Sequence, residues 1–235
     1  MQTRRFVFVV ADISGYTTFA HLHRLSQAHA ESIICELLDA VITHTAYPLT
    51  LNELLGDAAF FYAPSDETED VAHDVFAQVR RFTAAFASRS LELTGGCRMC
   101  VCDACRTAGT LRLKVSVHEG EAVITRLRGF EKLAGEDVII THRLLKNSIL
   151  DSEYIAATDS FMRLLGVTDE QPELRHEQCQ GIGEIGLAVF RPHSAEQTSQ
   201  PIRATAAIAN ALRMDLYAAR RILLRSAKRR PRQSG

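Results

Sequence analysis

The stretch Phe6-Val7-Phe8-Val9-Val10-Ala11-Asp12-Ile13-Ser14-Gly15-Tyr16 constrains the fold of this chain more than any other. Its unbroken apolar run, rich in β-branched and aromatic residues, reads as a buried strand. The run ends on a carboxylate, turns on Ser14-Gly15 and continues as a helix, with Thr17 or Thr18 as its candidate cap. A carboxylate beside the free amides of a helix N-terminus suits a phosphate with its metal ion. An ordinary strand-to-helix junction, its aspartate capping the helix, has the same sequence.

Three further segments follow in order. Glu53 to Tyr62 sets Gly56-Asp57 between two apolar runs, a hairpin signal. Leu113 to Val123 reads as part of two strands turning at Glu119-Gly120, spanning Thr110 to Leu127. Gly129-Phe130 then turns the chain into a helix from Gly135 to Asn147. Before these, Tyr16 to Ala46 is mostly helical, with Ile33, Ile34, Leu37, Leu38, Val41 and Ile42 as its core stripe. A second long helix, from about Glu69 to Leu93, carries Val71, Phe76, Val79, Phe82 and Phe86. Tyr154 to Ala157 reads as a strand, Asp159 to Leu165 as a short helix and Gly186 to Phe190 as a last strand. The alternation is β-α-β-β-α-β with additions, which suits an α+β, ferredoxin-like sandwich with helices on one sheet face.

In this order, from about Arg5 to Leu145, the segments resemble the class III nucleotidyl cyclase domain. Asp12 to Thr17 matches its D-I-x-G-[FY]-T pattern, Gly56-Asp57 its G-D hairpin, Val117 to Ala122 its I-H-x-G-x-x strand pair, and Gly135 to Arg143 its G-x-x-x-N-x-x-x-R helix. The resemblance implies a purine nucleoside triphosphate bound with two Mg²⁺ (or Mn²⁺) ions in a head-to-tail homodimer. It makes Asp12 and Asp57 metal ligands, with the backbone carbonyl of Ile13 a further one, and gives the phosphates to the amides from Ile13 to Thr18. Neither aspartate has a cationic partner nearby in sequence. Glu53 and Lys132 take the base-recognition positions, where guanine suits them, or form a salt bridge closing that pocket. Arg143 takes the transition-state position. The asparagine position holds Ile139, which donates nothing. The resemblance therefore leaves two functions open: a cyclase that releases pyrophosphate, or a degenerate cyclase-fold module that binds nucleotide or protein.

At 235 residues, with 46% hydrophobic and 23% charged, the chain allows one globular domain or one with an extension. A formal net charge of -1 gives the whole molecule no electrostatic preference for nucleic acid or membrane. Asp12 cuts short the N-terminal apolar run, and no stretch reaches the roughly 20 apolar residues of a membrane span, so a cytoplasmic protein is expected.

Cys97, Cys100, Cys102 and Cys105 fall within nine residues. Two C-x2-C steps fit a structural Zn²⁺ site, one shared between subunits, a partial site completed by histidine or water, a redox loop, or four reduced thiols. The cyclase-like domain is expected over 1–192 and a polar linker over 193–200. A basic amphipathic helix and tail follow over 201–235, where Arg203 to Arg232 holds nine Lys or Arg against Asp215 alone. That helix docks by its apolar face or meets an anionic lipid or nucleic acid.

Overall fold

In the computed structural model of the chain, the apolar run is the strand β1 (Thr3–Ser14), lying between two partners in an eight-stranded sheet. The structure describes residues 3–22, 27–66, 68, 70–96, 103–128, 130–179 and 181–191. They form two units. The first holds the described residues through Ser14, Leu38–Ala87 and those from Arg112 onward; the second holds Gly15–Leu37 and Ser88–Leu111. Cys97, Cys100 and Cys102, the 193–200 linker and the 201–235 helix lie outside the described residues.

The first unit contains the sheet. Its strands are β1, β2 (Thr50–Leu55), β3 (Ala58–Pro64), β4 (Arg112–Leu127), β5 (Phe130–Ala134), β6 (Tyr154–Thr158), β7 (Glu173–Cys179) and β8 (Gly183–Phe190). They run in the order β2-β3-β1-β4-β6-β8-β7, with β5 also paired to β4. Helices α1 (Tyr16–Leu22), α2 (Gln27–Thr43), α3 (Val71–Gly96), α4 (Asp103–Thr107), α5 (Glu136–Arg143) and α6 (Asp159–Leu165), with a short 3-10 helix at Ala108–Thr110, complete the described elements. This is the expected α+β class.

Every residue from Phe6 to Ala11 is fully buried, which explains why the run does not alternate with polar residues. On one face Phe6, Phe8 and Val10 pack with Ala58, Phe60, Leu133 and Val138 of α5. On the other, Phe61 meets Phe82 of α3 at a centroid distance of 5.2 Å. Helices thus cover both faces of the sheet, where the sequence suggested one. Each large apolar side chain so buried contributes roughly 1.5–3 kcal/mol.

The turn expected at Glu119-Gly120 does not exist. β4 is one strand of 16 residues, held straight by pairing with β1 from Arg112 opposite Ser14 to Val123 opposite Thr3. Glu119 is buried and receives Arg5 through both carboxylate oxygens, at 2.7 and 2.5 Å. On its other edge β4 pairs with β6 over Lys114–Val117 and with β5 over Val123–Leu127. β5 therefore occupies the segment read as a turn into the helix.

Between those two ladders, side chains take over the pairing. The Glu121 N–H donates to Asp137 Oδ2 at 2.6 Å, and Asp137 Oδ1 lies 3.0 Å from His118 Nε2. His118 Nδ1 faces the hydroxyls of Thr158 at 2.9 Å and Ser160 at 3.2 Å. The buried His118 thereby links the start of α5 to the start of α6. Two glycines let α5 come this close. A Cβ on Gly135 would lie 2.8 Å from the Glu121 carbonyl oxygen, and one on Gly120 would lie 2.2 Å from Asp137 Cγ.

α5 ends at Arg143, short of the expected Asn147, because Asn147 folds back as a cap. Its Nδ2 donates to the Leu144 carbonyl at 2.7 Å and to Tyr154 Oη at 2.8 Å. In the second unit α1 begins at Tyr16, so Thr17 and Thr18 lie inside its first turn instead of capping it. There Arg89 of α3 pairs with Glu36 at 2.5 Å and Glu92 at 2.7 Å. Cys105 is a buried residue of α4. No helix among the described residues is long and apolar enough to cross a membrane.

Candidate functional site

The registers of β1 bring the charged groups together. Asp12 stands opposite Ala58 on β3, and Ala58 follows Asp57 at the hairpin turn. The Ile13 N–H donates to the Asp57 carbonyl at 3.1 Å, closing that corner. Two carboxylates remote in sequence thus come near each other at the ends of neighbouring strands. Burial, and then the Asp12 charge, push the Asp57 carboxyl above its ordinary range, while its own backbone amide and Lys114 act against this.

Lys114 is the residue that sequence reasoning missed: neither aspartate has a cation nearby in sequence, but the strand register brings one to Asp12. On β4 it stands opposite Asp12. Its Nζ lies 3.0 Å from Asp12 Oδ2, and a second N–H reaches the Leu145 carbonyl at 3.3 Å. The only signal in the sequence was a lone charged residue within Leu113-Lys114-Val115, and no local pattern shows that it faces Asp12. Tyr154 borders the cluster; burial raises its phenol, with Asn147 and Lys114 opposing.

The donor chemistry fits a hard divalent ion. Two carboxylates face one ammonium, leaving the corner short of positive charge, and Mg²⁺ or Mn²⁺ takes one or two carboxylates with water or phosphate oxygens. The Lys114 ammonium stands where such an ion would be attracted. Among the described residues no three metal-ligating side chains cluster, so remaining ligands would come from water, backbone or a bound molecule. The Ile13 amide is spent on Asp57, so it is not among the free amides expected for phosphate.

The other candidate residues are not gathered here. Glu53 is exposed on β2 and Lys132 exposed on β5. No ion pair joins the two among the described residues. Glu53 lies instead in the field of His142, whose ring packs on Phe60 at a centroid distance of 4.8 Å and a tilt of 53°. Burial holds that imidazole below its ordinary range, with Glu53 opposing. Arg143 is exposed, with Nη1 over Gly181 beside the β7–β8 turn. No hydrogen bond or ion pair among the described residues joins Arg143 to Asp12 or Asp57. Ile139 is 52% exposed.

This sheet and its helices define the fold of the class III adenylyl and guanylyl cyclases. The guanylyl cyclase Cya2 superposes with a TM-score of 0.61 at 15% identity, over 80% of this chain and 92% of its own. The adenylyl cyclase CyaB from P. aeruginosa gives 0.57 at 14%, over 80% and 95%. The guanylate cyclase domain of RhGC from Catenaria anguillulae, solved in complex with GTP, gives 0.53 at 13%, over 81% and 98%. At such identities the likeness is one of fold. By sequence, the chain belongs to the family described as Protein of unknown function (DUF2652), whose model matches residues 34–154. An uncharacterized protein of Mycobacterium tuberculosis, Rv2561/Rv2562, is 35% identical over 153 residues, spanning 64% of this chain and 69% of the relative.

Proposed function

We propose that this chain is a nucleotidyl cyclase-like protein that binds a purine nucleoside triphosphate through divalent metal at Asp12 and Asp57. The observation that carries the reading is the pair of carboxylates set side by side by the β1–β3 register, on a fold shared with cyclases. Two bound Mg²⁺ or Mn²⁺ ions would supply Lewis-acid activation of a hydroxyl and charge neutralisation of phosphates. Asp12 and Asp57 hold that charge at the strand edge, with the Ile13 carbonyl as a further oxygen.

In a homodimer paired head to tail, Glu53, Lys132 and Arg143 of one subunit face the carboxylates of the other. Glu53 accepts from the N1 and N2 hydrogens of guanine, and Lys132 donates to its O6. Arg143 stabilises charge as the 3′-hydroxyl attacks the α-phosphate and pyrophosphate leaves. Ile139 stands one helical turn before Arg143 and offers no hydrogen bond, so turnover is slow or absent. Incubation of the purified protein with each of the four triphosphates and Mg²⁺ or Mn²⁺, with products resolved by mass, tests the reading. A cyclic purine nucleotide supports the enzyme.

The second reading is a binding module without turnover, favoured by the aliphatic side chain at position 139. Ile139→Asn separates the two. If the protein is a weakened enzyme, the new amide beside Arg143 raises cyclisation about ten- to a hundredfold, less than the 10²–10³ of a positioned donor in an evolved site. Because Ile139 is half-exposed in the single chain, the fold should tolerate the change. A folded dimer of this variant that makes no cyclic nucleotide supports the binding module.

A further inference from the structure

Asp12 already has a cation. We propose that Lys114 is an internal counter-ion that competes with divalent metal for Asp12 and so sets how tightly the site holds a bare ion. This rests on the metal reading above and adds a specificity-determining residue to it.

The competition follows from geometry. Lys114 is fixed opposite Asp12 by the β1–β4 register, and its Nζ sits 3.0 Å from Oδ2. Both side chains are largely shielded, at 21% and 15% exposure, so water screens their attraction less than on an open surface. A divalent ion held by Asp12 and Asp57 would have either to displace the ammonium or to share the Asp12 carboxylate with it. Either way, binding is weakened. The Leu145 carbonyl, 3.3 Å from the same Nζ, gives the ammonium a second anchor, which keeps its charge near the site after Asp12 is released. With two carboxylates against one ammonium, the corner still attracts a divalent ion, which makes the competition graded instead of exclusive.

The test is Mn²⁺ titration of the full chain without nucleotide, reading free Mn²⁺ by electron paramagnetic resonance. Wild type is compared with Lys114→Gln, Lys114→Met, Lys114→Arg and Asp57→Asn, each checked by denaturant midpoint. Removing the charge, as Gln or Met, should tighten Mn²⁺ binding about ten- to a hundredfold. Lys114→Arg keeps the charge and should stay near wild type. Asp57→Asn should lose the binding, which places the ion at this corner. Wild-type binding with Gln and Met variants equal or weaker overturns the role of Lys114 and leaves the metal reading standing. No Asp57-dependent Mn²⁺ binding in wild type or either charge-removing variant overturns both.

Discussion

Asp57→Asn is expected to remove metal-dependent triphosphate binding, weakening it at least about a hundredfold, while leaving the fold as stable as before or more so. The loss follows from deleting one of two carboxylate ligands; even the groups that merely orient a ligand are worth about 10–100-fold in metal affinity. The retained stability follows from the site's electrostatics. Burial and the Asp12 charge both disfavour the Asp57 carboxylate, so a neutral amide of the same shape relieves the fold. Asparagine also serves the turn, since Gly56, with φ of 66°, already supplies the left-handed residue. Isothermal titration with Mn²⁺ and GTP, paired with a urea denaturation curve, reads both effects. Undiminished binding would show that Asp57 is a turn residue only.

Gly120→Ala is expected to cost about 3 kcal/mol, the upper end for overpacking. The clash is with the helix rather than with a movable side chain. A Cβ at position 120 would lie 2.5 Å from Asp137 Cβ, which no rotation of the Asp137 side chain can relieve. α5 must back away, and with it go the Asp137 contacts to the Glu121 amide and His118. Adding Asp137→Ala therefore should not rescue stability, whereas Asp137→Gly should recover part of it. Urea midpoints of the three variants give the answer, and a Gly120→Ala protein as stable as wild type contradicts this packing.

The elements that were legible in sequence are those whose pattern is local. The β1 run, the Gly56-Asp57 hairpin and α6 over Asp159–Leu165 each carry their own signal. β4 was misread because Gly120 looks like a turn residue, while its purpose is the close approach of α5 from the far side of the chain. β5 escaped because Phe130 to Ala134 is short and follows a glycine. β7, Glu173–Cys179, is an edge strand whose charged residues hide the usual alternation. The same limit applies to the site. Asp12 and Asp57 stand in recognisable motifs, but Lys114 matters through a cross-strand register that no window of sequence contains.

On the proposed reading, this fold holds a nucleoside triphosphate through divalent metal at Asp12 and Asp57. Equilibrium binding of GTP and ATP to the wild-type protein, measured with Mn²⁺ and again with excess EDTA, addresses it most directly. Saturable binding with Mn²⁺ that disappears in EDTA and in Asp12→Asn is expected. Binding that is the same with and without metal, or no binding of either nucleotide, contradicts it.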